Sequence, residues 1–172
     1  HHIDVNISYM AQTIEDFLTY FKPRKIKESF SLLEVVNKSL LIIGHTLYKE
    51  EIKTVVHVNE MYEVYGYKNE YMQVLISILT NATYALKDKD EKMIEISAKK
   101  DDGAILLEIE DRGGGVPLEI IDKIFEPYFT TKNQSIGTGM GLYIAKMIIE
   151  KGMGGHLSVV NTEKGAKFSI IV

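Results

Sequence analysis

Between residues 3 and 21, apolar residues fall at Ile3, Ile7, Met10, Ile14, Phe17 and Phe21, an alternation of four and three that draws one narrow seam down a helix. Pro23 stops that helix, and the charged run PRKIKE reads as a connector. So narrow a seam fits a helix that meets another helix, with an ordinary amphipathic helix packed on the main domain as the alternative. Ser31 and Glu34 then stand at capping-box spacing ahead of a helix through VVNKSLLIIGHTL. IKTVVHV at 52–58 alternates as a strand, and KNEYMQVLISILTNATYALKDK at 68–89 carries the pattern of a long amphipathic helix. Two strands are predicted around 93–100 and 104–110, with Asp101-Asp102-Gly103 suited to a tight hairpin between them. A helix near 140–151 and two closing strands, HLSVVNT and AKFSIIV, joined at Glu163-Lys164-Gly165, complete the chain. Blocks of helices and antiparallel strands predict an α+β fold. Each element buries a single apolar side in a two-layer α/β sandwich, a mixed and mostly antiparallel sheet with helices on one face, preceded by the first helix.

Length and charge narrow the class. A chain of 172 residues suits one domain with a good-sized core and an appended element. A net charge of −4 gives no broad electrostatic reason to approach nucleic acid or anionic membranes. With no cysteine, neither a disulfide framework nor a thiolate metal site can form. No apolar run is long enough to span a bilayer and nothing has the pattern of a signal peptide, so a cytoplasmic setting is expected.

Chemistry concentrates in three segments, DRGGGVP at 111–117, IFEPYFTTK at 124–132 and GTGMGL at 137–142. An ionised carboxylate only accepts hydrogen bonds, so Asp111 can read the exocyclic amine of adenine. Gly113 and Gly115 let the backbone approach a base, and Gly137, Gly139 and Gly141 precede a helical run whose first amides can meet phosphate oxygens. The spacing G-x-G-x-G after a loop does not fit a dinucleotide turn, and no P-loop sequence occurs. On the long predicted helix, Asn81 offers an amide oxygen that can ligate magnesium while the ion also holds phosphates, and Ala82 and Ala85 leave room for a nucleotide.

Taken in order, NATYA, DRGGGVP, IFEPYFTTK and GTGMGL closely resemble the ATP-binding catalytic domain of sensor histidine kinases, within the superfamily that includes gyrase, Hsp90 and MutL. The resemblance covers about residues 28–172. It implies ATP and Mg2+ as ligands, with Asn81 as the metal ligand, Asp111 as the adenine reader, and Gly113 and Gly115 as the turn beneath the base. It also implies that Phe125, Phe129 and Lys132 belong to an aromatic box leading into a mobile lid over 126–139. Gly137, Thr138, Gly139, Gly141 and Leu142 would form the phosphate-binding turn, and Gly165 and Phe168 the final strand pair. Residues 1–23 resemble the end of a dimerisation and histidine-phosphotransfer helix, 24–30 a linker and first strand, and 31–172 the catalytic domain. The implied partners are that dimerisation domain, in a homodimer, and a response regulator; nucleic acid is not among them, and membrane contact would come only through other parts of the parent protein.

Departures from the family pattern bear on chemistry. Ser77 replaces the asparagine usual four residues before Asn81, where hydrolytic relatives place a glutamate base, so transfer to a protein histidine is favoured over rapid hydrolysis. Tyr84 stands where many kinases carry a lysine, which makes Lys132 the expected phosphate-positioning cation, and Lys167 replaces a common threonine. None of His1, His2, His45, His57 and His156 is followed by an acidic residue, so the phosphoacceptor is expected outside this sequence. A superfamily ATPase or a nucleotide-dependent interaction module is the alternative.

Overall fold

A computed structural model describes residues 26–132 and 137–172. The helix expected at 3–21 lies outside the described residues. Strand β1 (Glu28–Ser31) leads into α1 (Leu32–Ile42) and α2 (Gly44–Lys49), followed by β2 (Lys53–His57) and β3 (Glu63–Gly66). Helix α3 (Lys68–Leu86) is followed by the hairpin of β4 (Met93–Asp101) and β5 (Ala104–Asp111). Beyond the irregular stretches 112–132 and 137–140, α4 (Gly141–Met147) runs into a π-helical stretch, Ile148–Met153, and then β6 (His156–Asn161) and β7 (Ala166–Ile171).

Five strands form the main sheet in the order β2-β4-β5-β7-β6, with β2 parallel to β4 and every other pairing antiparallel. The β4–β5 turn takes left-handed backbone at Asp102 and Gly103, with φ of 48° and 87°, the twist that matches a two-residue hairpin. Alternation sends Ile94, Ile96, Ile105, Leu107, Ile109, Phe168 and Ile170 to one buried face, which the helices cover, while Glu95, Glu108 and Lys167 point the other way. The α+β sandwich with a mixed, mostly antiparallel sheet and helices on one face is the observed architecture. Asp111 continues the inward file of Ile105, Leu107 and Ile109, so the strand period itself delivers a carboxylate to the buried side of the sheet.

Three details differ from the sequence pattern. The helix expected through residue 47 breaks at Ile43: Leu41 and Ile42 face solvent, whereas Ile43 and Leu47 are buried, and restarting at Gly44 turns both inward. The Ser31 hydroxyl caps α1 by accepting from the Glu34 amide at 3.3 Å. The Glu34 carboxylate does not complete a capping box; Lys38 and Lys68 hold it, which lowers its proton affinity. Strand β3 has only Val64 and Gly66 inward, too few for a periodic signal, and it exists through antiparallel pairing with β1.

Phe30 of β1 packs on Tyr71 of α3, with ring centroids 5.7 Å apart, and ties the small sheet to the core. The Tyr71 hydroxyl is buried with no partner among the described residues, and desolvation raises its proton affinity. An unpaired buried hydroxyl costs about 1–3 kcal/mol. Tyr71→Phe is therefore expected to hold or raise the melting temperature, and a drop of several degrees in a thermal melt would show that the hydroxyl is bonded after all.

Candidate functional site

A cavity of about 600 Å³ opens between α3, the ends of β5 and β7, the stretch from 115 to 132, and residues 137–142 at the entry to α4. Its helical wall is the stripe Ser77, Asn81, Tyr84 and Ala85, residues four, three and one apart that share one face beside the buried stripe of Ile78, Ala82 and Leu86. The strand ends contribute Asp111, Ala166 and Phe168. Two files on one helix thus divide the work, one toward the sheet and one toward the cavity.

Asp111 is 3% exposed. Its Oδ1 accepts from the Gly113 amide at 2.8 Å and from the Ala166 amide at 3.3 Å, and no donor among the described residues reaches Oδ2. That oxygen is left to accept a donor from a bound molecule. Burial raises the proton affinity of the carboxyl, partly offset by the Gly113 and Ala166 amides; Glu110 adds to the rise and Lys89 opposes it. An exocyclic amine delivered to Oδ2 would counter the desolvation that causes the shift.

Lys132 enters from the opposite wall. Its Nζ donates to Asn81 Oδ1 at 2.6 Å and lies 4.6 Å from the centroid of the Tyr84 ring, and burial lowers its proton affinity. The Asn81 oxygen therefore already faces a cation. Such a neutral oxygen, together with phosphate oxygens from a ligand, fits the hard, partly hydrated coordination of magnesium. Among the described residues no cluster of three or more His, Cys, Asp or Glu could hold a metal by itself, so an ion would depend on phosphates for most of its ligands.

The glycine segment closes this end. Gly139 has φ of +70°, and a Cβ there would come within 2.9 Å of the Phe129 amide nitrogen, so a side chain would be both strained and obstructed. Thr138 Oγ1 accepts from the Met140 amide at 3.3 Å, and Gly141 at the start of α4 packs on the Ser77 hydroxyl. Of the expected site residues, Asn81, Asp111, Gly115, Lys132, Gly137, Thr138, Gly139, Gly141 and Leu142 all line the cavity. Gly113 stands behind that wall and acts on Asp111 through its amide. Phe129 lines the cavity, whereas Phe125 packs edge-on against Phe168 with centroids 6.4 Å apart and carries Lys146 over its ring. Residues 133–136 of the expected lid lie outside the described residues.

Two contributors had no local signal. Asn161 clasps the glycine-rich loop, its Oδ1 accepting from the Val116 amide at 2.8 Å and its Nδ2 donating to the Val116 carbonyl at 2.7 Å. Those residues are 45 positions apart and meet only because β6 ends beside the loop. Tyr84 is the other, a shelf for Lys132 that an isolated tyrosine on a helix does not announce.

A buried acceptor at one end, a glycine-lined cation site at the other and a mixed sheet behind them define an ATP-binding α/β sandwich. The chain belongs to the histidine kinase-, DNA gyrase B- and HSP90-like ATPase family, whose model matches residues 66–172. It is 35% identical over 112 residues to the two-component sensor PprA of Pseudomonas aeruginosa, covering 62% of this chain and 12% of that protein. It is 28% identical over 177 residues to sporulation kinase A of Bacillus subtilis, covering 99% of this chain and 28% of that one. The chain thus spans between about an eighth and about a third of the curated relatives it matches. Among solved structures, the nucleotide-free catalytic domain of the histidine kinase ThkA superposes with a TM-score of 0.75 at 29% identity, covering 86% of this chain and 97% of that one. ThkA in complex with the response regulator protein TrrA gives 0.79 at 26% identity, covering 97% of this chain and 48% of that chain.

Proposed function

We propose that this chain is the catalytic, ATP-binding part of a two-component sensor histidine kinase. It binds ATP with Mg2+ and presents the γ-phosphoryl group to a histidine on a dimerisation domain, from which the group passes to an aspartate of a response regulator. The observation that carries the reading is the pairing of an Asp111 Oδ2 that no donor among the described residues reaches with the Lys132–Asn81 pair in one cavity. Asp111 reads the adenine amine, Asn81 ligates magnesium alongside the phosphates, and Lys132 neutralises phosphate charge. Magnesium, when bound, would spread the charge that develops on the transferred group. Phosphoryl transfer then asks the protein mainly for position and charge, which these residues supply.

Kinase is favoured over ATPase by the helical wall. Ser77, one turn before Asn81, is a neutral hydroxyl packed on Gly141, and Asp111 is the sole carboxylate among the described lining residues. Among the described residues no carboxylate faces the phosphate end to activate water. Residues 1–23 fit the end of the dimerisation helix, 24–30 the linker and first strand, and 31–172 the catalytic domain. No helix among the described residues is long and apolar enough to cross a membrane, which accords with a cytoplasmic domain whose membrane contact, in the parent, would lie elsewhere.

Saturating Mg-ATP is the test. At free ligand about 100 times Kd, one-site linkage adds roughly 2.7 kcal/mol to stability, several degrees in a thermal melt for a domain of this size. An unmoved melting temperature would refute nucleotide binding. Adding a dimeric piece that carries the upstream helices should then yield an acid-labile phosphohistidine on that piece. Label on His45, His57 or His156, or rapid phosphate release by the chain alone, would favour a self-contained enzyme.

A further inference from the structure

Lys132 sits in a socket with two walls from one helix. Asn81 and Tyr84 are three residues apart on α3, so the helix aims both at the same point, and there the ammonium meets the amide oxygen at 2.6 Å and the ring centroid at 4.6 Å. A Cβ on Gly137 would come within 3.2 Å of Lys132 Cδ, which places the lysine stem beside the start of the glycine segment. Free in solvent, its four-carbon stem would spread the charge over many rotamers. Held against an aromatic face, the charge has one position, and the ring's negative face compensates part of the water it has lost.

We propose that Tyr84 is a positioning residue for the nucleotide phosphates: its ring face keeps the Lys132 ammonium at the glycine end of the site when the Asn81 oxygen, which accepts from that ammonium here, turns to the metal. The charge that meets phosphate is carried by the segment at 130–132, but its location is set by α3. This rests on the nucleotide reading above and adds the source of its phosphate-end geometry. Tyr84 is 41% exposed at the cavity wall, so removing its ring releases the lysine without opening the core.

The test is equilibrium binding of Mg-ATP and of adenosine to the wild-type chain, Tyr84→Phe, Tyr84→Leu, Lys132→Met and the Tyr84→Leu/Lys132→Met pair. Tyr84→Leu is expected to weaken Mg-ATP roughly 2- to 30-fold, the range a cation–π contact spans from exposed to desolvated sites. Adenosine, which has no phosphate, should bind it as it binds wild type, and Tyr84→Phe, which keeps the ring, should retain Mg-ATP affinity. In the Lys132→Met background Tyr84→Leu should add nothing, because the two residues act as one unit. Tyr84→Met repeats the test if the leucine variant does not fold. Equal Mg-ATP affinity for wild type and Tyr84→Leu overturns the proposal, as does a loss equally large for adenosine or one that persists in the Lys132→Met background. Wild type that binds neither ligand is a separate result, and it overturns the nucleotide reading together with this one.

Discussion

Asp111→Asn is expected to remove the stabilisation by Mg-ATP while leaving the nucleotide-free protein at least as stable as before. The amides of Gly113 and Ala166 both point at Oδ1, so they fix which way an introduced amide lies, with its oxygen toward them and its NH2 where Oδ2 had been. A donor then faces the donor of adenine. Losing a hydrogen bond to a charged acceptor costs about 1.5–3 kcal/mol, and the facing donors add to it, so an affinity loss on the order of 100-fold follows. The nucleotide-free protein meanwhile sheds a buried charge.

The raised proton affinity of Asp111 gives that experiment a pH counterpart. Because the folded-state pKa lies above the ordinary 3.8, Asp111 favours folding most when protonated, and that contribution is lost as pH rises through the folded value. Nucleotide binding runs the other way. It needs the carboxylate, so Mg-ATP affinity should fall as pH drops through the raised value, beginning above the range where ordinary carboxylates titrate. Melts of wild type and Asp111→Asn with and without saturating Mg-ATP across that range check both signs. A ligand-induced shift in Asp111→Asn equal to that of wild type would rule out the assigned role.

Much of this site can be read from residue order. The period-two file that ends Ile105, Leu107, Ile109, Asp111 is visible in sequence, as are the Asp102-Gly103 hairpin and the helical stripe that carries Asn81. No single glycine motif identifies a nucleotide site, but four motifs in a fixed order do, because each must occupy its own place around one ligand. What escapes the sequence is set by distant partners. Strand β3 exists because β1 pairs with it, the break at Ile43 depends on which side of α1 meets the core, and Asn161 finds Val116 only after β6 has paired with β7. The Tyr84–Lys132 contact likewise requires the segment after Phe129 to fold back over α3. Local periodicity carries no trace of such meetings.

Gly165→Ala should separate the support of Asp111 from its chemistry, since it is expected to lower both the stability of the nucleotide-free protein and its affinity for Mg-ATP. Gly165 is buried behind Asp111, and a Cβ there would come within 2.7 Å of Oδ1 and 2.9 Å of the carbonyl carbon of that residue. The glycine cannot easily withdraw. Its amide donates to Thr162 Oγ1 at 3.1 Å, its carbonyl accepts from the Thr162 amide at 2.8 Å, and Thr162 Oγ1 donates to Glu110 Oε1 at 2.6 Å, one residue from Asp111 on the same strand. Forcing an extra methyl into such packing costs about 1–3 kcal/mol, and for a domain of this size each kcal/mol is worth roughly 2–4 °C in Tm. Relief of the clash would draw the Ala166 amide away from Oδ1 and turn the carboxylate from the position that leaves Oδ2 toward the cavity. Thermal melts with and without Mg-ATP read both losses together, whereas Asp111→Asn should show the second alone. An unchanged Tm for the nucleotide-free Gly165→Ala protein would mean that the strand pair yields at this point, and that Asp111 is held in place by its own loop and the Gly113 amide without backing from β7.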